Sequence, residues 1–209
     1  TMDFDNASSY TLNPVNGSSV LTFAVSTGSA SINVAQGSHT IAVPITLNSN
    51  INFNVIPAGS TLTLTAALTA SGRTITKQGL GIVQTPNVRA SSLIVSQGQF
   101  RIASNGTSSG TSKVSTLSIA PGAQLNLNNN DMVVNYTGTG PSGSWTGSSY
   151  TGLLGLVASG RNGGSWNGAG IMTGAAGTTG GLTGIGIAEA SQALNLSGSE
   201  TAIWSGQTV

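Results

Sequence analysis

Charge is what this sequence has least of. Six basic and five acidic residues in 209 make it 5% charged, against roughly 25% in an average globular chain. The net charge of +1 removes the long-range repulsion that keeps copies of a protein apart. It also argues against a nucleic-acid partner, which needs a dense Lys/Arg footprint. Cysteine is absent, which excludes a disulfide framework and a thiolate metal site. There is one histidine, and aromatic residues make up 5%. No apolar run reaches the 18 residues of a spanning helix, so membrane insertion is not expected. No signal peptide is recognisable. Apolar residues still make up 38%, so composition does not point to disorder. Ser, Thr, Asn and Gly fill the space that charge leaves.

What is present is a repeated phrase: two alternating apolar residues, a short turn containing glycine, then two more. It reads Leu117-x-Ile119-x-x-Gly122-x-x-Leu125-x-Leu127, and Leu93-x-Val95-x-x-Gly98-x-Phe100-x-Ile102. Earlier copies run Phe53-x-Val55, Gly59, Leu62-x-Leu64, and Ile32-x-Val34-x-x-Gly37, then Ile41-x-Val43. Alternation turns one apolar face of each strand inward. The turn glycines at 37, 59, 98 and 122 are spaced by 22, 39 and 24, leaving room for a degraded copy near Gly79 or Gly81. A period of roughly 20 residues is the mark of a solenoid whose units bury their apolar faces on one another. The expected fold is all-β, a parallel β-helix or β-solenoid with a Gly-rich C-terminal cap containing short helices.

Candidate strands are Met2–Asp5, Ser19–Val25, Ala30–Val34, His39–Val43, Asn52–Val55, Thr61–Ala66, Arg73–Thr76, Leu93–Val95, Gln99–Ile102, Val114–Ile119, Gln124–Leu127 and Met132–Tyr136. An antiparallel sandwich would show similar strands; the recurring phrase favours a solenoid. Near Pro141 the composition changes. Residues 141–209 carry all three tryptophans and dense glycine, including Gly174, Gly177, Gly180 and Gly181. Ser149–Ser159 and Ile185–Leu194 read as short helices. The expected division is a solenoid over 1–140 and a cap over 141–209, since a solenoid needs atypical terminal units. Thr1 leads directly into Met2-x-Phe4 and the sequence stops after Trp204-Ser205-Gly206-Gln207-Thr208-Val209. Both ends are expected to be cuts in a longer chain.

The catalytic inventory is thin. A Ser-His-Asp triad would have to use His39, between Ser38 and Thr40 at a strand start; the expectation is a surface histidine. Asp3 and Asp5 share a strand face, but no cation precedes Arg73. Polysaccharide-cleaving enzymes need clustered carboxylates with a basic partner, so no enzyme is expected. Asp3-Phe-Asp5-Asn6 lacks the glycine-punctuated acidic loop of a calcium site. Asn128-Asn129-Asn130-Asp131 reads as an Asn-rich turn. Gly184-x-Gly186 lacks the context of a phosphate loop. No cofactor is expected. Five Asn-x-Ser/Thr sequons begin at Asn6, Asn16, Asn105, Asn135 and Asn195, and become glycans only in a host with the machinery.

Between Asp5 and Asp131 there is no acid, while Arg73, Lys77, Arg89, Arg101 and Lys113 all lie there. They read as solvated coil edges, or as a weak basic stripe that meets the acidic ends of a neighbour. Trp145, Trp166 and Tyr150 form a candidate glycan-binding patch. The competing reading makes the aromatics hydrophobic plugs of a cap with little else to bury.

The stretches Gly79-Leu-Gly-Ile-Val, Asn87-Val-Arg-Ala-Ser-Ser-Leu-Ile-Val-Ser-Gln-Gly and Leu117-Ser-Ile-Ala-Pro-Gly-Ala-Gln-Leu-Asn-Leu-Asn-Asn-Asn-Asp resemble the autotransporter-associated β-strand repeat proteins of bacterial surfaces. Ser159-Gly-Arg-Asn-Gly-Gly-Ser-Trp-Asn-Gly and Ala188-Glu-Ala-Ser are similar to their C-terminal section. The resemblance covers most of the chain and implies a secreted β-helical scaffold without a general set of catalytic residues. The Asp-rich calcium-type motif and the sorting signal of such proteins have no counterpart here. The expectation is therefore an extracellular structural protein of a bacterial cell surface, matrix or fibre. Its partners would be other copies of itself, joined through a strand edge at Met2, Phe4 and Asp5. The alternatives are an adhesin that binds surface polysaccharide through the C-terminal aromatics, and a degenerate polysaccharide-degrading β-helix.

Overall fold

The structure, a computed structural model, describes residues 1–175 and 182–209; the expected cap glycines Gly177, Gly180 and Gly181 lie outside the described residues. The chain is mostly β, with long parallel sheets. Its strands recur in circuits that visit three rows in turn. The first circuit is β1 (Met2–Asp5), β2 (Thr11–Leu12) and β3 (Leu21–Phe23). The second is β4 (Ala30–Gln36), β5 (His39–Ile41) and β6 (Ile45–Leu47). The third is β7 (Ile51–Val55), β8 (Thr61–Leu64) and the first part of β9 (Leu68–Gln78). The rest of β9 opens a fourth circuit with β10 (Ile82–Thr85) and the start of β11 (Ala90–Val95). A fifth follows through β12 (Gln99–Ile102) and β13 (Ser112–Val114), and a sixth through β14 (Thr116–Ile119), β15 (Gln124–Asn126) and β16 (Met132–Val134).

The first row runs β1-β4-β7-β9-β11-β14. The second runs β2-β5-β8-β10-β12-β15 and gains β17 (Gly170–Met172) beyond β15. The third passes from β3 to β6 to the start of β9, then through the pairs Ala70–Ala90 and Arg89–Lys113 to β13 and β16. Every pairing in these rows is parallel. A circuit takes 30 residues between Met2 and its partner Ile32, 24 between Ile51 and Ile75, and 18 between Thr74 and Ser92. The period therefore varies, because loops at the corners differ in length while the strands stay in register.

Register places like residues in columns. Ala30, Ile51, Ile75, Leu93 and Leu117 follow one another in the first row, and His39, Leu62, Val83, Phe100, Leu125 and Ile171 in the second. These columns line one continuous core. At the corner between the first and second rows, Gly98 has φ +62°, and a Cβ there would lie 2.4 Å from the Gly81 carbonyl oxygen and 2.6 Å from that of Gly79. Only glycine fits, because the backbone of the preceding circuit fills the space.

The expected strands are largely present, with corrections. Val114–Ile119 is two strands: the chain turns a corner at Ser115, whose N–H donates to the Ser91 carbonyl. Leu117 and Ile119 are half-buried, because β14 is the outermost strand of its row. β2, β6, β10 and β17 escape the sequence pattern: β2, β6 and β17 are two or three residues long, and β10 turns Thr85 inward beside Val83. After residue 141 the helix α1 (Gly152–Arg161) packs Leu153, Leu156 and Val157 on the core beside β17. The helix expected over Ile185–Leu194 shrinks to one turn, α2 (Ala190–Ala193). Ile185 and Ile187 alternate with Gly184, Gly186 and Ala188, a period of two that does not support a helix. An antiparallel hairpin, β18 (Ile203–Trp204) and β19 (Gln207–Thr208), ends the chain. No helix among the described residues is long and apolar enough to cross a membrane.

Candidate functional site

The structure separates the aromatic residues. Trp145 and Tyr150 face each other across a tight reversal, with ring centroids 4.9 Å apart and planes inclined at 55°. Thr146 N–H donates to Ser149 O and Thr151 N–H to Ser144 O, each at 2.9 Å, which fixes the reversal. Both rings lie open, 56% and 50% exposed. Trp166 does not join them. It is 7% exposed, its N–H donates to the Arg161 carbonyl, and a Cβ on Gly184 would lie 2.7 Å from its indole. Trp204 is partly exposed on the terminal hairpin.

The edge residues sit on β1, which among the described residues pairs with β4 alone. Phe4 points inward and stacks on the imidazole of His39 at 4.7 Å. Met2 is half-buried and Asp5 exposed. Asn33 Nδ2 donates to Asp3 Oδ1 at 2.6 Å, and Gln36 Nε2 to Asp5 Oδ1 at 2.7 Å. Both carboxylates thus help hold the first circuit to the second. Elsewhere Tyr136 Oη and Ser142 Oγ donate to Glu189, and Ser197 N–H and Oγ donate to Glu200. The hydrogen bond from Tyr136 to Glu189 raises the phenol's pKa, and those from Ser197 lower that of Glu200.

His39 is not the surface residue expected from its flanking Ser and Thr. It is 2% exposed, between the rings of Phe4 and Tyr10. Tyr10 N–H donates to its Nδ1 at 3.1 Å, and its Nε2 meets Gln36 O at 2.8 Å. The first contact makes Nδ1 the acceptor, so Nε2 carries the proton and donates. The ring ties the first circuit to the second and serves as packing.

Lys77 is also misplaced by the reading of solvated coil edges. It is fully buried, between Phe53 and Val95 in an inward column. Its ammonium donates to the carbonyls of Gln78 and Gly79 at 2.7 Å and of Gln97 at 3.2 Å. Burial lowers its pKa to about 8. The signal was in the sequence: Lys77 stands two residues after Ile75, on the same face.

The Asn-rich turn forms as expected. Asn128 has φ +50°, and its Nδ2 donates to the Ile102 carbonyl. Asn130 Nδ2 donates to Ala103 O at 2.9 Å and Leu127 O at 3.0 Å, while its Oδ1 accepts from Gly106 N–H. Amide side chains here replace the ladder bonds that a corner would otherwise lose. Among the described residues no group of three or more His, Cys, Asp or Glu side chains is placed to hold a metal. No family model, curated protein or solved structure matches this chain.

Proposed function

We propose that this chain is a β-solenoid segment of a secreted bacterial surface, matrix or fibre protein that assembles with copies of itself through strand edges. The observation that carries the reading is the six-circuit parallel stack around one continuous, largely apolar core. From β1 to β16 the strands follow one another without an intervening α-helix, whereas a parallel α/β barrel places a helix after each strand. This favours a three-sided β-helix, with α1 and the glycine-rich segment as its cap. The resemblance to autotransporter-associated repeat proteins supports the bacterial surface and gives the chain no catalytic role.

The edge follows from the same stack. Among the described residues β1, β2 and β3 each pair on one side only. An outer strand presents unpaired N–H and C=O groups that template another strand. A head-to-tail contact that does not close into a ring gives a filament. Electron microscopy and sedimentation at micromolar concentration test this: filaments or higher oligomers that persist in high salt are expected, and a strictly monomeric rod would refute it. The exposed Trp145–Tyr150 pair favours a second reading, an adhesin that stacks on surface polysaccharide. A glycan array comparing the protein with its Trp145→Ala variant separates the two.

A further inference from the structure

Arg89 and Lys113 are exposed or partly exposed neighbours in the third row, directly paired on successive circuits. They line an open cleft of about 340 Å³ together with Ser71, Ser91, Ser115 and Gln207. The serines belong to three successive circuits at one corner, and Ser115 N–H donates to Ser91 O.

Both cations are held in place by neutral groups. Arg89 Nε donates to Thr111 O at 3.2 Å, and its Nη2 to Ser108 O and Ser109 O at 3.2 and 3.4 Å. A guanidinium has five N–H donors, so among the described residues both hydrogens of Nη1 remain free. Lys113 Nζ donates to the carbonyl of Thr208, on the terminal hairpin, and among the described residues keeps two of its three donors. None of the three serine hydroxyls, nor the Gln207 amide, donates to or accepts from another group among the described residues. Arg73 follows Ser71 and Gly72 but does not line the cleft, and among the described residues its buried Nε has no hydrogen-bond partner. One acid stands near: Asp131 precedes β16, and its Oδ2 accepts from Ser205 Oγ at 2.7 Å. Fixed cations of one sign, flanked by unused hydroxyl and amide donors, have the composition of an oxyanion site.

We propose that this cleft binds an oxyanion, a sulfate or phosphate group, through Arg89, Lys113 and the serines of three successive circuits. Neighbouring strands are about 4.8 Å apart, so the paired Arg89 and Lys113 set two charges one above the other along the stack. That pair suits neighbouring groups of an anionic polymer lying along it as well as a single ion. The site goes beyond the structural reading and does not depend on filament formation.

The test is titration calorimetry at low ionic strength with inorganic sulfate, inorganic phosphate, heparin oligosaccharide and neutral dextran. Saturable binding of at least one anionic probe is expected, and none of dextran. Lys113→Gln should weaken binding about tenfold, the scale of one charged hydrogen bond, and Arg89→Gln at least as much. Arg101→Gln removes a cation on the second row, outside the cleft, and should leave the affinity unchanged. Thermal melts of each variant show whether it is folded, and Lys113→Gln keeps the test open if Arg89→Gln unfolds. Binding of sulfate or phosphate with this residue dependence identifies a free-anion site; the same dependence for heparin alone identifies a polymer site. No saturable binding, or equal losses in Lys113→Gln and Arg101→Gln, would overturn the proposal. Filament formation is read separately by microscopy, so the two proposals fail independently.

Discussion

At the scale of single residues, Lys77 has the clearest consequence. Its ordinary pKa of 10.5 falls to about 8 in the fold, because burial disfavours the ammonium and three carbonyls restore only part of its lost hydration. Between about pH 8 and 10.5 the unfolded chain therefore holds more protons than the folded one. Stability rises with pH across that window, each unit of displacement being worth about 1.4 kcal/mol. Below pH 8 the cost of the buried charge is fully present. Urea midpoints at pH 7.5 and 10 should show this rise, and Lys77→Met should flatten it. Gly98 and Gly122 offer a paired comparison. Both have positive φ, but a Cβ on Gly122 meets nothing within 4 Å, while one on Gly98 strikes two carbonyls. Gly98→Ala should cost roughly 2–5 kcal/mol and Gly122→Ala about 1 kcal/mol, read from chemical denaturation. The turn glycines were legible from their spacing. The partners of Lys77 and His39 were not, because they come from neighbouring circuits and local sequence does not name them.

At the scale of the strand, burial depends on position in the row more than on residue type. Leu125 on β15 is fully buried between Phe100 and Ile171, whereas Leu117 on the outermost β14 is half-buried. Leu125→Ala should cost about 2–5 kcal/mol and Leu117→Ala clearly less, measured by thermal melts. Leu125→Asp should unfold its circuit, since an unpaired carboxylate there costs several kcal/mol. Sequence alternation marked the inward residues of β4, β7, β11 and β12 because each strand is long enough to show a period of two. It missed β2 and β6, and it fused β13 with β14. A corner that keeps the inward apolar spacing looks like uninterrupted strand. The Arg89–Lys113 cleft was hidden for a related reason: the two residues are 24 apart in sequence and adjacent only through register.

At the scale of the whole molecule, each circuit touches mainly the one before and the one after. Stability is then a sum of neighbour terms, and unfolding need not be all-or-none. Hydrogen exchange should protect the middle strands β8, β10 and β12 most and the outer β1 and β2 least. The direction of the ladder has a mechanical consequence as well. Strands lie across the stack while their hydrogen bonds point along it, so a pull on the two ends meets the bonds one circuit at a time and peels them. Each step frees 18 residues where Thr74 faces Ser92 and 30 where Met2 faces Ile32, about 60 to 105 Å of chain at roughly 3.5 Å per residue. Stretched between two anchors, the protein would lengthen in discrete steps at modest force, a tether that yields by paying out slack.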